Sequence, residues 1–290
     1  MAGPPAGPPA GPSAGSATGS PAASPAAGSA QEVNPAFAWT QDPELVAIYD
    51  VENSGGWDHE FYLELLEELG AGRVADIGCG TGVLAVLLPQ QGVEVVGVDP
   101  SAAMIDVART RSTEAGVQGR VSWIHGYADQ LAPNVADAVI MEGHVAQYFL
   151  TRTEWDAVLA QAWATLKPGG HLAFESRNPA SLELDAWDAE STRETQPHPD
   201  GGEFTSWMEI AGIRSDAADG DLITARAHNL LPGSRELIAE ETLRYRPLAV
   251  LRESLARAGF RIVDIWGDWD REELSEDSPE MIFLAQKPLD

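Results

Sequence analysis

The sequence predicts an α/β protein built on a doubly wound, mostly parallel sheet, with an antiparallel β meander inserted late in the chain. Three observations predict it. Residues 73–111 read as strand, glycine turn, helix, strand, acid and helix in unbroken succession. Short apolar runs and helix-periodic stretches then keep alternating to about residue 175, the pattern of βαβ units. Beyond it lie three runs with strand character, 204–213, 221–231 and 235–246, separated by the turn sequences DAADGD and LPGS.

The chain has 290 residues, enough for one large domain or two small ones. Residues 1–30 contain only Ala, Pro, Gly, Ser, one Met and one Thr. Such a tract buries too little apolar surface to offset its ordering entropy, so a disordered tail is expected there. It lacks the basic start and leucine-rich core of a secretory signal. The folded part is therefore expected over 31–290.

From residue 58 the elements follow in order. Asp58 to Leu69 carries Phe61, Leu65, Leu66 and Leu69 at helical spacing, with Asp58 as the expected cap. Val74, Ala75 and Ile77 suit a buried parallel strand. The turn DIGCGTG then brings Gly78, Gly80 and Gly82, which let backbone N–H groups approach a ligand without Cβ clashes. GVLAVLL reads as a helix ending near Pro89. Val93 to Val98 is a second buried strand ending in Asp99, 21 residues after Gly78. An acid at that place can hold a ribose diol. Ser101 is expected to cap the helix SAAMIDVARTR. VSWIHG and DAVIM read as the third and fourth strands, Arg152 to Leu166 as a helix, and HLAFES as the fifth strand after the turn LKPGG. After the meander, RPLAVLRESLARAGF reads as a helix ending at Gly259, and FRIVDIWG and EMIFLAQK as the last two strands.

A dinucleotide site favours G-x-G-x-x-G, because a pyrophosphate must sit on the helix N-terminus. Here the spacing is G-x-G-x-G, and Asp76 precedes the turn by two residues. A carboxylate there repels a pyrophosphate and attracts a cation. The stretch resembles the nucleotide-binding motif of class I S-adenosylmethionine-dependent methyltransferases, and the order of elements over 73–175 agrees with that family. The resemblance implies a seven-stranded Rossmann-like sheet closed by an antiparallel C-terminal hairpin, with the insert, residues 178–246, as a substrate lid. It implies S-adenosyl-L-methionine as cofactor. The turn of Asp76, Gly78, Gly80 and Gly82 would pass under its methionine part, and Asp99 would take the ribose hydroxyls. Met104 would pack on the adenine or simply fill the core. In the segment YADQLA, Asp129 would meet the adenine amino group or cap a helix, with Ala128 contributing backbone. An upstream segment would close over the cofactor, which brings Tyr49, Asn53 and Trp57 to the site or leaves them packing the lid.

In a doubly wound sheet ligands bind at the C-terminal strand ends. That places Glu142, His144 and Gln147, after the fourth strand, toward the transferred methyl, with Glu142 facing a cationic part of cofactor or substrate. His144 is the base candidate, because its ordinary pKa lies near neutrality. Arg177 and Asn178, His228 in the meander, and Arg244 or Arg246 are candidates for holding the acceptor.

The formal net charge is −27, from 45 acidic against 18 basic side chains, which argues against nucleic acid as partner. No run of about 18 apolar residues suggests a membrane span. The single Cys79 excludes an intrachain disulfide and fits a reducing, cytoplasmic setting. The histidines form no His-x-x-x-His pair, so no metal is expected. The composition leaves the oligomeric state open. The expected activity is methyl transfer to O, N or C of a small molecule. A tRNA-modifying methyltransferase and a non-catalytic cofactor-binding protein of the same fold are the alternatives.

Overall fold

In the computed structural model the described residues are 39–54 and 56–289. The expected tail, 1–30, lies outside them. The chain runs α1 (Pro43–Glu52), α2 (Trp57–Glu68), β1 (Arg73–Ile77), α3 (Val83–Leu87), β2 (Glu94–Asp99), α4 (Ala102–Glu114), β3 (Val121–His125), β4 (Ala136–Met141), α5 (Arg152–Thr165) and β5 (Leu166–Arg177). It continues through β6 (Glu194–Pro197), β7 (Glu203–Arg214), β8 (Asp221–Leu231), β9 (Arg235–Tyr245), α6 (Leu248–Arg257), β10 (Arg261–Trp266) and β11 (Glu280–Gln286).

The larger sheet has seven strands in the order β10-β11-β5-β4-β1-β2-β3. β1 pairs in parallel with both β2 and β4, so the strand order reverses there. β11 runs antiparallel between β5 and β10, which makes the C-terminal hairpin. Both faces of the sheet are covered. One face packs Trp155, Leu159 and Leu255 against Phe174 and Phe283, and the other packs Phe61, Leu65 and Leu84 against Val74 and Ile140. This double burial explains why β1, β4 and β11 read as continuous apolar runs. The insert is an antiparallel sheet of order β6-β7-β8-β9. Its last three strands match the sequence expectation, while β6 adds a short polar strand that no periodicity announced.

Several local expectations need correcting. Gly56, in a left-handed conformation (φ 85°), caps α2 in place of Asp58, which lies in the first turn. The helix after the glycine turn keeps α geometry only to Leu87 and tightens into a 3-10 segment, Leu88–Gln91, because Pro89 cannot donate the next bond. β5 begins at Leu166 rather than at His171. Its pairing with β4 jumps from Ala136↔Leu166 to Ala138↔His171, so the LKPGG turn is absorbed as a bulge. Ser101 caps α4 as expected, accepting from Met104 N.

Candidate active site

The loops after β1, β2 and β4 and the end of β5 converge at one edge of the sheet. Gly78, Gly80 and Gly82 all have positive φ, at 76°, 51° and 75°. A Cβ at Gly78 would meet Val145 Cγ2 at 2.5 Å, and one at Gly82 would meet Trp123 at 2.5 Å. Around Gly80 nothing lies within 4 Å of that position, so the middle of the turn is open. Asp76, just before it, is buried, and its Oδ1 has no hydrogen-bond partner. Burial, then Glu142 and Asp99, push its pKa well above the usual carboxylate range. A cation beside it would relieve that penalty.

Asp99 ends β2 with its carboxylate held by two backbone donors, Gly80 N at 3.0 Å and Ser101 N at 2.7 Å. Burial raises its pKa to about 6 against those bonds. Each oxygen keeps a lone pair for a further donor. Glu142 is bonded to His59 Nε2 at 3.0 Å, and burial raises its pKa. Asp58, His59 and Glu142 offer ligand atoms within 4.8 Å of one another, a grouping that could hold a cation and that residue spacing did not reveal.

The N-terminal segment is tied to this turn. Thr81 Oγ1 donates to Asp50 Oδ1 at 2.6 Å, and Arg111 pairs with the other Asp50 oxygen. Ser101 Oγ donates to Thr40 O at 2.5 Å. Tyr49, stacked on Trp39 at 5.7 Å, has a phenol whose pKa is raised by burial and by Glu142, Glu241 and Asp99, so its hydroxyl lies among those acids. Met104 is buried in the first turn of α4. Ala128 and Asp129 lie on a 3-10 turn after β3, with Asp129 exposed.

His144 follows β4 in a left-handed conformation (φ 59°). Its Nε2 lies 3.0 Å from both oxygens of Glu280, at the start of β11. Its backbone N donates to Glu175 Oε1 at 2.5 Å, and the Tyr62 hydroxyl donates to the other Glu175 oxygen. Burial, and next Arg177, lower the His144 pKa against the opposing pull of Glu280. Burial raises the Glu175 pKa to about 8. Gln147 Oε1 accepts from Arg177 N and Arg177 Nη1, each at 3.3 Å. Tyr148 donates to Glu241, which projects from β9 of the insert.

Several residues expected at the acceptor fall elsewhere. Asn53 is exposed and caps α1, donating from Nδ2 to Tyr49 O at 2.8 Å. The side chain of Trp57 lies outside the described residues. His228 pairs across the ladder with Ile238 and stacks on Trp207 at 4.9 Å, on the face opposite Glu241 and Tyr245. Strand alternation decides this, and a one-residue parity was not readable from the meander's composition. Arg246 is buried, bonded to both Asp219 oxygens at 3.1 and 3.0 Å and to Phe149 O at 2.7 Å. Arg244 donates to Leu150 O at 2.8 Å and Gly220 O at 2.6 Å. These arginines fasten the insert to the loop after β4. Asn178 Nδ2 donates to Ser278 O at 2.9 Å and pins the loop before β11. Sequence reasoning missed Glu280, Glu175, Tyr62, His59, Glu241 and Tyr148. Only Glu280 carried a signal, as an acid opening an otherwise apolar strand.

The residues fit S-adenosylmethionine on chemical grounds. An orphaned buried carboxylate oxygen, a cluster of acids and an open glycine turn suit a ligand with cationic sulfonium and ammonium groups. The comparisons with known proteins agree. Residues 74–170 match a family model described as "Methyltransferase domain". A ubiquinone biosynthesis O-methyltransferase of Xanthomonas axonopodis pv. citri is 29% identical over 175 residues, 56% of this chain and 71% of that protein. The CcbJ methyltransferase of Streptomyces caelestis superposes with a TM-score of 0.66 at 22% identity, over 80% of this chain and 95% of that one. SAM-bound CalS10, an amino pentose methyltransferase from Micromonospora echinaspora, superposes with a TM-score of 0.60 at 19% identity, over 83% of this chain and 96% of that one. With the glycine turn, the acid ending β2 and the strand order all in agreement, residues 74–170 are similar to a methyltransferase domain, and the chain shares the fold of S-adenosylmethionine-dependent methyltransferases.

Proposed function

We propose that the protein methylates an O–H or N–H group of a small molecule, with His144 taking the acceptor's proton and Glu280 orienting His144. The observation that carries this reading is the Glu280–His144 pair at 3.0 Å. A carboxylate on Nε2 favours the tautomer with the proton on Nε2, which leaves the Nδ1 lone pair for the acceptor. The lowered pKa keeps the ring neutral to a lower pH than an ordinary histidine. The similarity to an O-methyltransferase and to an amino pentose methyltransferase supports a small, heteroatom-bearing acceptor. The formal charge of −27 and the many acids near the site weigh against a nucleic acid.

S-adenosylmethionine, when bound, supplies an electrophilic methyl on a sulfonium. The chain supplies position and charge. Asp99 would accept the ribose hydroxyls, Asp76 and Glu142 would face the cationic methionine part, and Tyr49 on α1 would close the site. Fixing an acceptor in line with the methyl is worth roughly 7–11 kcal/mol in well-oriented systems. No helix among the described residues is long and apolar enough to cross a membrane. The lone Cys79 suits a reducing, cytoplasmic setting.

The test is methyl transfer from labelled S-adenosylmethionine to panels of phenols, hydroxy acids and amino sugars, with wild type and His144→Ala. Turnover by wild type, with a loss of roughly a hundredfold in the variant at unchanged S-adenosylhomocysteine affinity, is the expected result. Equal turnover by both proteins would remove His144 from the reaction.

A further inference from the structure

Arg177 ends β5 beside His144, yet it forms no ion pair among the described residues, unlike Arg244 and Arg246, which are paired with Asp216 and Asp219. A neighbour is also unsatisfied. Gln147 spends Oε1 on two Arg177 donors, the backbone N and Nη1. That choice fixes the amide's orientation, because only oxygen can accept from both. Gln147 is buried to 1% exposure, and its Nε2 is left with no hydrogen bond of ordinary geometry. Tyr245, inward-facing on β9 and likewise 1% exposed, has its hydroxyl beside Arg177 and Gln147, both of which act on it as hydrogen-bond donors. A guanidinium with no ion pair among the described residues, a buried amide with an unpartnered Nε2 and a phenol therefore share one spot. Buried donors in native proteins find partners, because one left alone forfeits its hydration without return.

We propose that Arg177, Gln147 Nε2 and the Tyr245 hydroxyl anchor a carboxylate of the methyl acceptor. This rests on the methyltransferase reading and names the substrate class within it: a small carboxylic acid bearing the O–H or N–H to be methylated. A guanidinium offers two parallel N–H groups to a planar carboxylate, and the amide and phenol supply further donors from the side. The single positive charge of Arg177 matches a monoanion better than a dianion. Burial raises the pKa of the nearby Glu241 and Glu175, which holds these acids toward their neutral forms and leaves the positive charge of Arg177 available. A phosphate dianion would leave one further negative charge unbalanced. Arg177 acts on both His144 and Glu241, so an acid held there sits next to the base. The anchor is also split between the core and the insert, since Tyr245 belongs to β9. A bound acid would then bridge the two.

The experiment is calorimetric titration of the full chain, saturated with S-adenosylhomocysteine, using benzoate, benzamide and phenyl phosphate as probes. The proposal expects benzoate to bind saturably and at least tenfold tighter than benzamide and phenyl phosphate. Arg177→Gln should weaken benzoate at least tenfold, Tyr245→Phe by roughly threefold, and Arg177→Lys should restore part of the loss. S-adenosylhomocysteine affinity should stay within about twofold in all variants, which shows that they fold. Benzoate that does not bind, binds no better than benzamide, or binds Arg177→Gln as well as wild type would overturn the anchor. Phenyl phosphate binding tighter than benzoate would overturn the monoanion assignment. Failure of wild type to bind S-adenosylhomocysteine would instead count against the methyltransferase reading.

Discussion

His144 holds a left-handed backbone conformation that a non-glycine residue adopts at a cost of order 1–3 kcal/mol. The hydrogen bond from its backbone N to Glu175 and the one between its ring and Glu280 together oppose that cost and aim the imidazole. Glu280→Gln should keep the geometry, because the amide oxygen can still accept from Nε2–H. It removes the charge that raises the His144 pKa. In wild type, kcat/KM should fall as pH drops through a histidine pKa below the usual 6.5, since the protonated ring cannot take a proton. In Glu280→Gln that limb should move to still lower pH, and an unmoved limb would show that Glu280 does not act on the base. Asp99 gives a second pH signature. With a folded-state pKa of about 6, it loses its charge as pH falls below that value. S-adenosylhomocysteine affinity should then weaken between about pH 7 and 5, and Asp99→Ala should weaken it at least tenfold at neutral pH. Calorimetry at three pH values reads both, and a flat wild-type profile would detach Asp99 from the ribose.

At the scale of elements, the connection that matters is the one between the insert and the loop after β4. Asp219, in the turn before β8, accepts from Arg246 and lies 3.4 Å from Arg152 and 3.8 Å from Arg244. One buried carboxylate therefore balances several guanidiniums. Removing one partner of such a set leaves uncompensated buried charge, typically at a cost of about 3–5 kcal/mol. Asp219→Asn should thus lower thermal stability by about 3 kcal/mol, and more than Asp216→Asn, whose carboxylate is exposed. Because these arginines hold the loop carrying Gln147 and Tyr148, turnover should fall further than cofactor affinity. Differential scanning calorimetry that ranks the two variants equally would show that the insert is held by its apolar contacts instead, such as Tyr148 and Trp187 packed on Leu243 and Tyr245.

At the scale of the molecule, charge sets the pH and salt response. With a formal charge of −27 the folded state repels itself, so raising NaCl from about 10 mM to about 500 mM should raise the melting temperature by several degrees. Glu175 adds a pH term of known sign. Its pKa is raised from 4.5 to about 8 in the fold, so between those values the native state binds more protons than the unfolded one. Stability therefore falls as pH rises through that window. Glu175→Gln can accept from His144 N and donate to the Tyr62 oxygen without ionising. The variant should accordingly lose less melting temperature than wild type between pH 5 and 8. A larger loss in the variant would mean that Glu175 is ionised in the fold. Residues 1–30 carry no core-forming side chain, and a chain starting at Gln31 should melt within about a degree of the full chain.

The layered architecture and the glycine turn are written locally in the chain, in apolar runs at strand length, three glycines at a turn with positive φ, and acids at fixed offsets from them. The glycine turn, the acids placed beside it and the three long meander strands were readable for that reason. Tertiary structure alone decided which distant groups meet. Glu280 reaches His144 across 136 residues, and Tyr62 reaches Glu175 across 113. No periodicity links such positions, because their contact follows from strand order and register. The same holds for the insert. Its strands were readable, yet whether Arg246, His228 or Tyr245 faces the site depends on pairing parity and on which buried acid stands opposite. A shift of one residue exchanges the two faces, and that shift is fixed only when β9 packs against the loop after β4.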